Sequence, residues 1–188
     1  KLMPYLHLPL QSGSDRILSA MNRSHDINTY RQIVDQLRYK RPDIALSTDF
    51  IVGYPGESDS DFLETLKIVN EVGFAQAYSF KYSARPGTPA ANLEDQVPES
   101  VKKDRLEALQ QLLRAQQTAF NYSIIGDELP VLFENNGRNK GQLSGRSPYL
   151  QAVHVEANEA LIGEIMTCRI VDSGPNSLVG VLTDIPNN

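Results

Sequence analysis

The chain has 188 residues, of which 40% are hydrophobic and 22% charged, with a formal net charge of −5 and one cysteine. That composition suits an ordinary globular protein, excludes an internal disulfide and argues mildly against a nucleic-acid binder that works through overall positive charge. No apolar run approaches the roughly 20 residues of a membrane span, and the opening Lys1-Leu-Met-Pro-Tyr5, broken up by Pro4, His7 and Pro9, does not read as a secretory signal.

In chain order, Tyr5 to Leu10 reads as a short buried strand ending at Gln11. Ser14-Asp15 is placed to cap a short helix carrying Ile17, Leu18 and Met21. A second helix is expected from about Asn28 to Tyr39, with Tyr30, Ile33, Val34 and Leu37 as its apolar stripe and Pro42 ending it. Ile44 to Val52, rich in β-branched residues, predicts the next strand, and Pro55-Gly56 a turn. Ser58, with Asp61 three residues on, predicts a capping box for a helix whose apolar face is Phe62, Leu66, Val69 and Val72, ending at Gly73. Phe74 to Tyr82 is the third strand. Strands separated by helices of this length imply parallel pairing. Arg85 to Pro98 is a loop dense in Pro, Gly, Ala and Asn, and Glu99 to Tyr122 a long helix whose glutamines, Gln110-Gln111 and Gln116-Gln117, read as a solvated face.

After Asn121 the pattern changes to short β-like runs: Leu129–Glu134, Gln142–Gly145, Ala152–Glu156, Glu164–Asp172 and Leu178–Leu182. Turns are expected at Asn135-Asn-Gly137, Lys140-Gly141, Ser144-Gly145 and Gly174-Pro175, and five such strands suggest a small closed barrel. This segment carries eight acids against four bases, three of which, Arg138, Lys140 and Arg146, could form a local basic hairpin. Cys168 sits in a strand-like run and reads as a buried apolar residue.

Three polar motifs end the three strands of the first part: His7-Leu-Pro-Leu-Gln-Ser-Gly-Ser14, Asp49-Phe-Ile-Val-Gly-Tyr-Pro-Gly-Glu57 and Tyr82-Ser-Ala-Arg-Pro-Gly-Thr-Pro-Ala90. In strand-helix barrels an active site is built at such ends. Gln11, Ser12 and Ser14 could bond a ligand while Gly13 lets the backbone approach, or could simply form a capped turn. Asp49, within an apolar strand, needs a ligand or a salt-bridge partner. Glu57 reads as a helix-start carboxylate. Arg85 beside Tyr82 suits a nucleobase or phosphate, or a loop-anchoring ion pair. His7, His25 and His154 lack metal spacing, and His7 reads as structural. Three strands do not close a strand-helix barrel, and the chain begins at a strand without a methionine, so further strands are expected before Lys1.

Together these motifs, continuing through Val101-Lys102, Arg105-Leu106 and Gly141-Gln-Leu-Ser-Gly-Arg-Ser-Pro-Tyr-Leu-Gln-Ala-Val-His154, resemble the methylthiotransferases of the radical S-adenosylmethionine superfamily. Pro9-Leu-Gln-Ser-Gly-Ser14 and Ser79-Phe-Lys-Tyr-Ser-Ala-Arg-Pro-Gly-Thr88 look most like the MiaB-type tRNA branch, with threonylcarbamoyladenosine and ribosomal-protein branches, or a non-catalytic RNA-binding module, as alternatives. The resemblance implies an α/β fold: the C-terminal half of a TIM-like radical SAM barrel over residues 1–121, then a small all-β, OB-like TRAM barrel over residues 122–188. It implies a cytoplasmic enzyme, not attached to a membrane, that adds a methylthio group to isopentenyladenosine beside the tRNA anticodon. Its cofactors are S-adenosylmethionine and two 4Fe-4S clusters. Gln11, Ser12 and Asp49 would line the S-adenosylmethionine pocket and Tyr82 and Arg85 the substrate mouth. Arg138, Lys140, Arg146 and Tyr149 would contact tRNA. With Cys168 alone, this stretch is expected to bind neither cluster and to be inactive by itself.

Overall fold

A computed structural model describes residues 3–183. Residues Leu6–Gln116 form one compact unit, and a second begins at Gln117. None of the helices among the described residues is long and apolar enough to cross a membrane.

The first unit is built on a three-stranded sheet in the order β1 (Tyr5–His7), β2 (Ala45–Val52), β3 (Gln76–Lys81). β2 and β3 run parallel with Asp49 opposite Tyr78 and Ile51 opposite Phe80, and a parallel bridge joins Gln11 to Phe50. The C-terminal strand ends therefore open on one edge, as the three motifs require. Helices α1 (Asp15–Ala20), α2 (Ile27–Lys40), α3 (Asp59–Val72) and the first part of α4 (Glu99–Ser123) complete the unit. Leu46, Phe50 and Val52 point one way into a core with Phe74, Val69 and Leu109. The alternate residues Asp49, Ile51, Tyr78 and Phe80 share the other face, where Tyr78 and Phe80 are exposed.

Helix starts and stops follow local chemistry with two departures. α3 has the expected capping box between Ser58 and Asp61, and Gly73 ends it at φ 62° in the left-handed region. Ser14 stands at the N-cap of α1, but its hydroxyl does not cap. It donates instead to Asp61 Oδ1 at 2.6 Å. Gln116, expected on a solvated face, bonds the Phe74 N–H at 3.0 Å and the Val69 carbonyl at 2.8 Å, which satisfies the C-terminal end of α3.

Asp61 thus collects Ser14, Arg16, and the N–H and hydroxyl of Ser58. Burial pushes its carboxyl up, but these donors outweigh burial and hold it well below the usual carboxylate range. A depressed folded value means stability that is complete above the unfolded value and is lost as pH falls toward the folded one. Asp61→Asn is therefore expected to cost about 2–3 kcal/mol at neutral pH and to flatten the loss of stability on acidification below about pH 4. Urea denaturation across pH checks this, and parallel pH curves for parent and variant would refute it.

The second unit is a closed five-stranded barrel of β4 (Glu128–Asn136), β5 (Gln142–Arg146), β6 (Ala152–Glu156), β7 (Ile165–Ser173) and β8 (Ser177–Leu182), in the order β4-β5-β6-β8-β7. Only β6 and β8 pair in parallel. This is consistent with an OB-like fold. Inward residues Val131, Phe133, Leu143, Val153 and Ile170 fill it, with Cys168 fully buried among them. Burial pushes that thiol up to about 11. Ser144-Gly145 is not the turn the sequence suggests but part of β5. A Cβ on Gly145 would stand 2.5 Å from the Leu132 carbonyl oxygen, so glycine lets β4 and β5 close up beside the bulge at Phe133/Asn135.

Candidate functional site

The strand ends of the first unit gather most of the polar residues singled out in the sequence. Gln11 follows β1 with φ 77°, a conformation uncommon outside glycine. Two backbone hydrogen bonds to β2 hold it there: its N–H to the Asp49 carbonyl at 2.8 Å, and its own carbonyl to the Ile51 N–H at 2.9 Å. Ser12 is fully buried, and its hydroxyl accepts the Ser14 N–H at 3.2 Å, so it shapes the turn. Gly13 does not open the backbone to a ligand. A Cβ there would meet Thr65 Cα at 2.4 Å, and the Gly13 N–H donates to Thr65 Oγ1 at 2.9 Å, so the glycine seats the turn on α3.

Asp49 keeps a partly exposed side chain and faces His7 Nε2 at 3.4 Å. Tyr82 and Arg85 come together on a cavity of about 480 Å³ lined also by Ile51, Phe80, Ser83 and Thr88. Tyr82 is fixed from behind: its ring meets Tyr54 edge-on at 5.2 Å, and Lys102 Nζ lies 5.4 Å over it. Its hydroxyl is buried without a hydrogen-bond partner among the described residues. The cavity is mainly apolar with two cations on it, Arg85 and Lys81, the latter paired with Glu99, a combination that takes a flat or apolar group beside an anionic one.

Glu57 lies outside the capping position. Ser58 is the N-cap, and the Glu57 carboxylate turns inward to accept the Gly53 N–H and Arg105 Nη1, the latter at 3.0 Å. Arg105 also donates to the Glu57 carbonyl at 3.0 Å and to Asp59 Oδ1 at 2.7 Å. Arg105 was not singled out from the sequence as a site residue. The signal was present, because it interrupts the apolar i, i+4 stripe Val101, Leu109, Leu113 with a charge that a buried position tolerates only when paired.

In the barrel, the three bases lie on the β4–β5 hairpin, two in its turn and one at the end of β5. Arg138 and Lys140 are exposed in the β4–β5 turn, while Arg146 ends β5, about 14 Å along that strand from its start at ~3.4 Å per residue. Arg146 contacts Glu134 at 3.3 Å and donates to the Leu150 carbonyl at 3.1 Å. Tyr149 is half-buried, with its ring edge-on to Phe120 at 5.4 Å.

Residues 2–69 match the Radical SAM superfamily and residues 123–183 match the TRAM domain. The pairing fits a radical SAM enzyme that carries a TRAM domain and suggests one that modifies RNA. Such enzymes use S-adenosylmethionine and a 4Fe-4S cluster. One strand-end residue could suit the first of these: Asp49 keeps a partly exposed carboxylate on the sheet face whose Ile51 and Phe80 line the apolar cavity. The chain's residues do not fit the cluster. Its single cysteine is sealed in the barrel core, and no trio of His, Cys, Asp or Glu among the described residues could hold a metal ion.

Proposed function

We infer that this chain is the substrate-facing part of a tRNA methylthiotransferase of the MiaB type, acting on isopentenyladenosine beside the anticodon. The observation that carries the reading is the apolar cavity at the strand ends, with Tyr82 and Arg85 on it, in a chain matching radical SAM and then TRAM. An isopentenylated base suits the Ile51–Phe80–Tyr82 wall, and the backbone phosphate beside it suits Arg85. The first unit is part of a TIM-like barrel in this reading. When bound, S-adenosylmethionine would supply the methyl group and, on one-electron reduction by an iron-sulfur cluster that this stretch does not hold, the radical that opens the C–H bond. Gln11, Asp49 and the Ser12 turn orient it, while Tyr82 and Ile51 hold the base against it and exclude water. Both clusters of this enzyme class require cysteines that this sequence does not contain, so no step is assigned to them.

The barrel serves as the RNA-binding arm. Its two separated cation sites predict different salt behaviour. Arg138→Ala with Lys140→Ala is expected to lower the salt slope of tRNA binding by about 2, and Arg146→Ala, already paired with Glu134, by less than about 1. Fluorescence anisotropy over a salt series reads both, and equal slopes in all three proteins would remove the barrel from the interface.

The function itself is tested by expressing the full-length protein in cells whose tRNA lacks the methylthio group and analysing nucleosides by mass spectrometry. The expected product is 2-methylthio-N6-isopentenyladenosine. A methylthiolated threonylcarbamoyladenosine or ribosomal protein would move the reading to another branch, and no product of any kind would overturn it.

A further inference from the structure

His7 links a buried anchor to an open carboxylate. Its Nδ1 lies 2.8 Å from Ser47 Oγ, and Ser47 is fully buried on β2. Its Nε2 faces Asp49 Oδ2 at 3.4 Å, and its ring stands edge-on to Tyr78 at 6.5 Å. A carboxylate only accepts, so the hydrogen belongs on Nε2, and in the neutral ring Nδ1 then accepts the Ser47 hydroxyl. With that tautomer the Ser47 hydroxyl donates to His7 Nδ1 and the Nε2–H faces Asp49. This order excludes the nucleophile reading of a Ser-His-Asp set, because the serine is the sealed end and the carboxylate the open one.

The second oxygen of Asp49 has no partner among the described residues. The Asp49 carbonyl holds the Gln11 N–H, so the Gln11 backbone ends the same strand pair. A partly exposed carboxylate that only accepts matches two adjacent hydroxyl donors, the vicinal diol of a ribose.

We propose that His7 is a positioning residue that sets Asp49 to accept the ribose hydroxyls of an adenosyl group, with Ser47 as its anchor. This rests on the strand-end site proposed above. The long His7–Asp49 contact is the kind that shortens when a ligand fills such a site. The adenosyl cofactor carries this diol, whereas a substrate adenosine inside tRNA is linked through its 3′ oxygen and keeps only the 2′ hydroxyl.

The test is a nucleoside titration followed by amide shifts in NMR, which also shows that each variant is folded. Parent chain is titrated with adenosine and with 2′,3′-dideoxyadenosine, and the diol is expected to strengthen binding about tenfold. His7→Gln keeps a donor at the Nε2 position and should retain that preference. His7→Asn reaches only Ser47 and should reduce the preference to about twofold or less. A purely structural histidine would lower the melting temperature of either variant and leave the preference intact. An unchanged preference in His7→Asn overturns the proposal alone. Absence of adenosine binding by the parent overturns the strand-end site and the proposal with it. S-adenosylhomocysteine is expected to lose affinity in His7→Asn as adenosine does, and an unchanged affinity would overturn the assignment to the adenosyl cofactor.

Discussion

Arg105→Ala is expected to cost about 3–5 kcal/mol of stability at neutral pH, because it leaves a buried carboxylate without its cation. The Glu57 side chain is 1% exposed and that of Arg105 8%, so solvent cannot replace the lost partner. The two side chains and the Glu57 carbonyl tie α4 to the turn after β2, and the Gly53 N–H bonds the same carboxylate. Burial pushes the Glu57 carboxyl up, and the Gly53 N–H and Arg105 only partly oppose it. A raised folded value means stability that is complete below the unfolded value and falls as pH rises through the folded one. Removing Arg105 raises the carboxyl further. The deficit of the variant should therefore shrink on going from about pH 7 to about pH 5, and Glu57→Gln in the same background should recover part of it. Urea midpoints at the two pH values decide the matter. A deficit that does not change with pH would show that Glu57 is not charged at neutrality or not buried.

Gly13→Ala is expected to be nearly as damaging, at about 3 kcal/mol, for a different reason. Its Cβ would stand 2.4 Å from Thr65 Cα and 2.5 Å from the Glu64 carbonyl oxygen, both backbone atoms of α3 that no rotamer change can move. The helix would have to back away from the turn, taking with it the Gly13–Thr65 hydrogen bond and loosening the loop that holds Gln11 in its left-handed conformation. Thermal unfolding measures the stability, and adenosine titration of the surviving fold measures the site. Gly53→Ala provides the control. There the close atom is Lys102 Cγ at 2.4 Å, on a flexible side chain, although φ 73° at Gly53 adds backbone strain. A Gly13→Ala protein as stable as the Gly53→Ala protein would refute the account of the turn.

Much of the fold can be read in the order of residues. The α3 capping box, its glycine stop and the five barrel strands all depend on contacts within a few residues, or on the two-residue and 3.6-residue periods of burial. The site was legible only in part. Tyr82 and Arg85 are three residues apart and meet on one cavity. Arg138 and Lys140 are nearer still in sequence and share one turn, yet β5 separates them from Arg146. Spacing along an extended strand adds length, whereas spacing around a turn returns the chain to the same place, and charge counting registers neither.

By itself, the sequence determined the alternation of strands and helices, the barrel, and the strand ends where polar residues collect, because these arise from short-range periodicity and turn chemistry. Tertiary structure alone decided the partners: Ser14 and Arg16 with Asp61, Arg105 with Glu57, and His7 between Ser47 and Asp49. Each of these contacts spans about 40 residues or more, and is set by how parallel strands align and how α3 and α4 lie against them. A side chain's burial, and with it the energetic demand for a partner, exists only once those elements have packed.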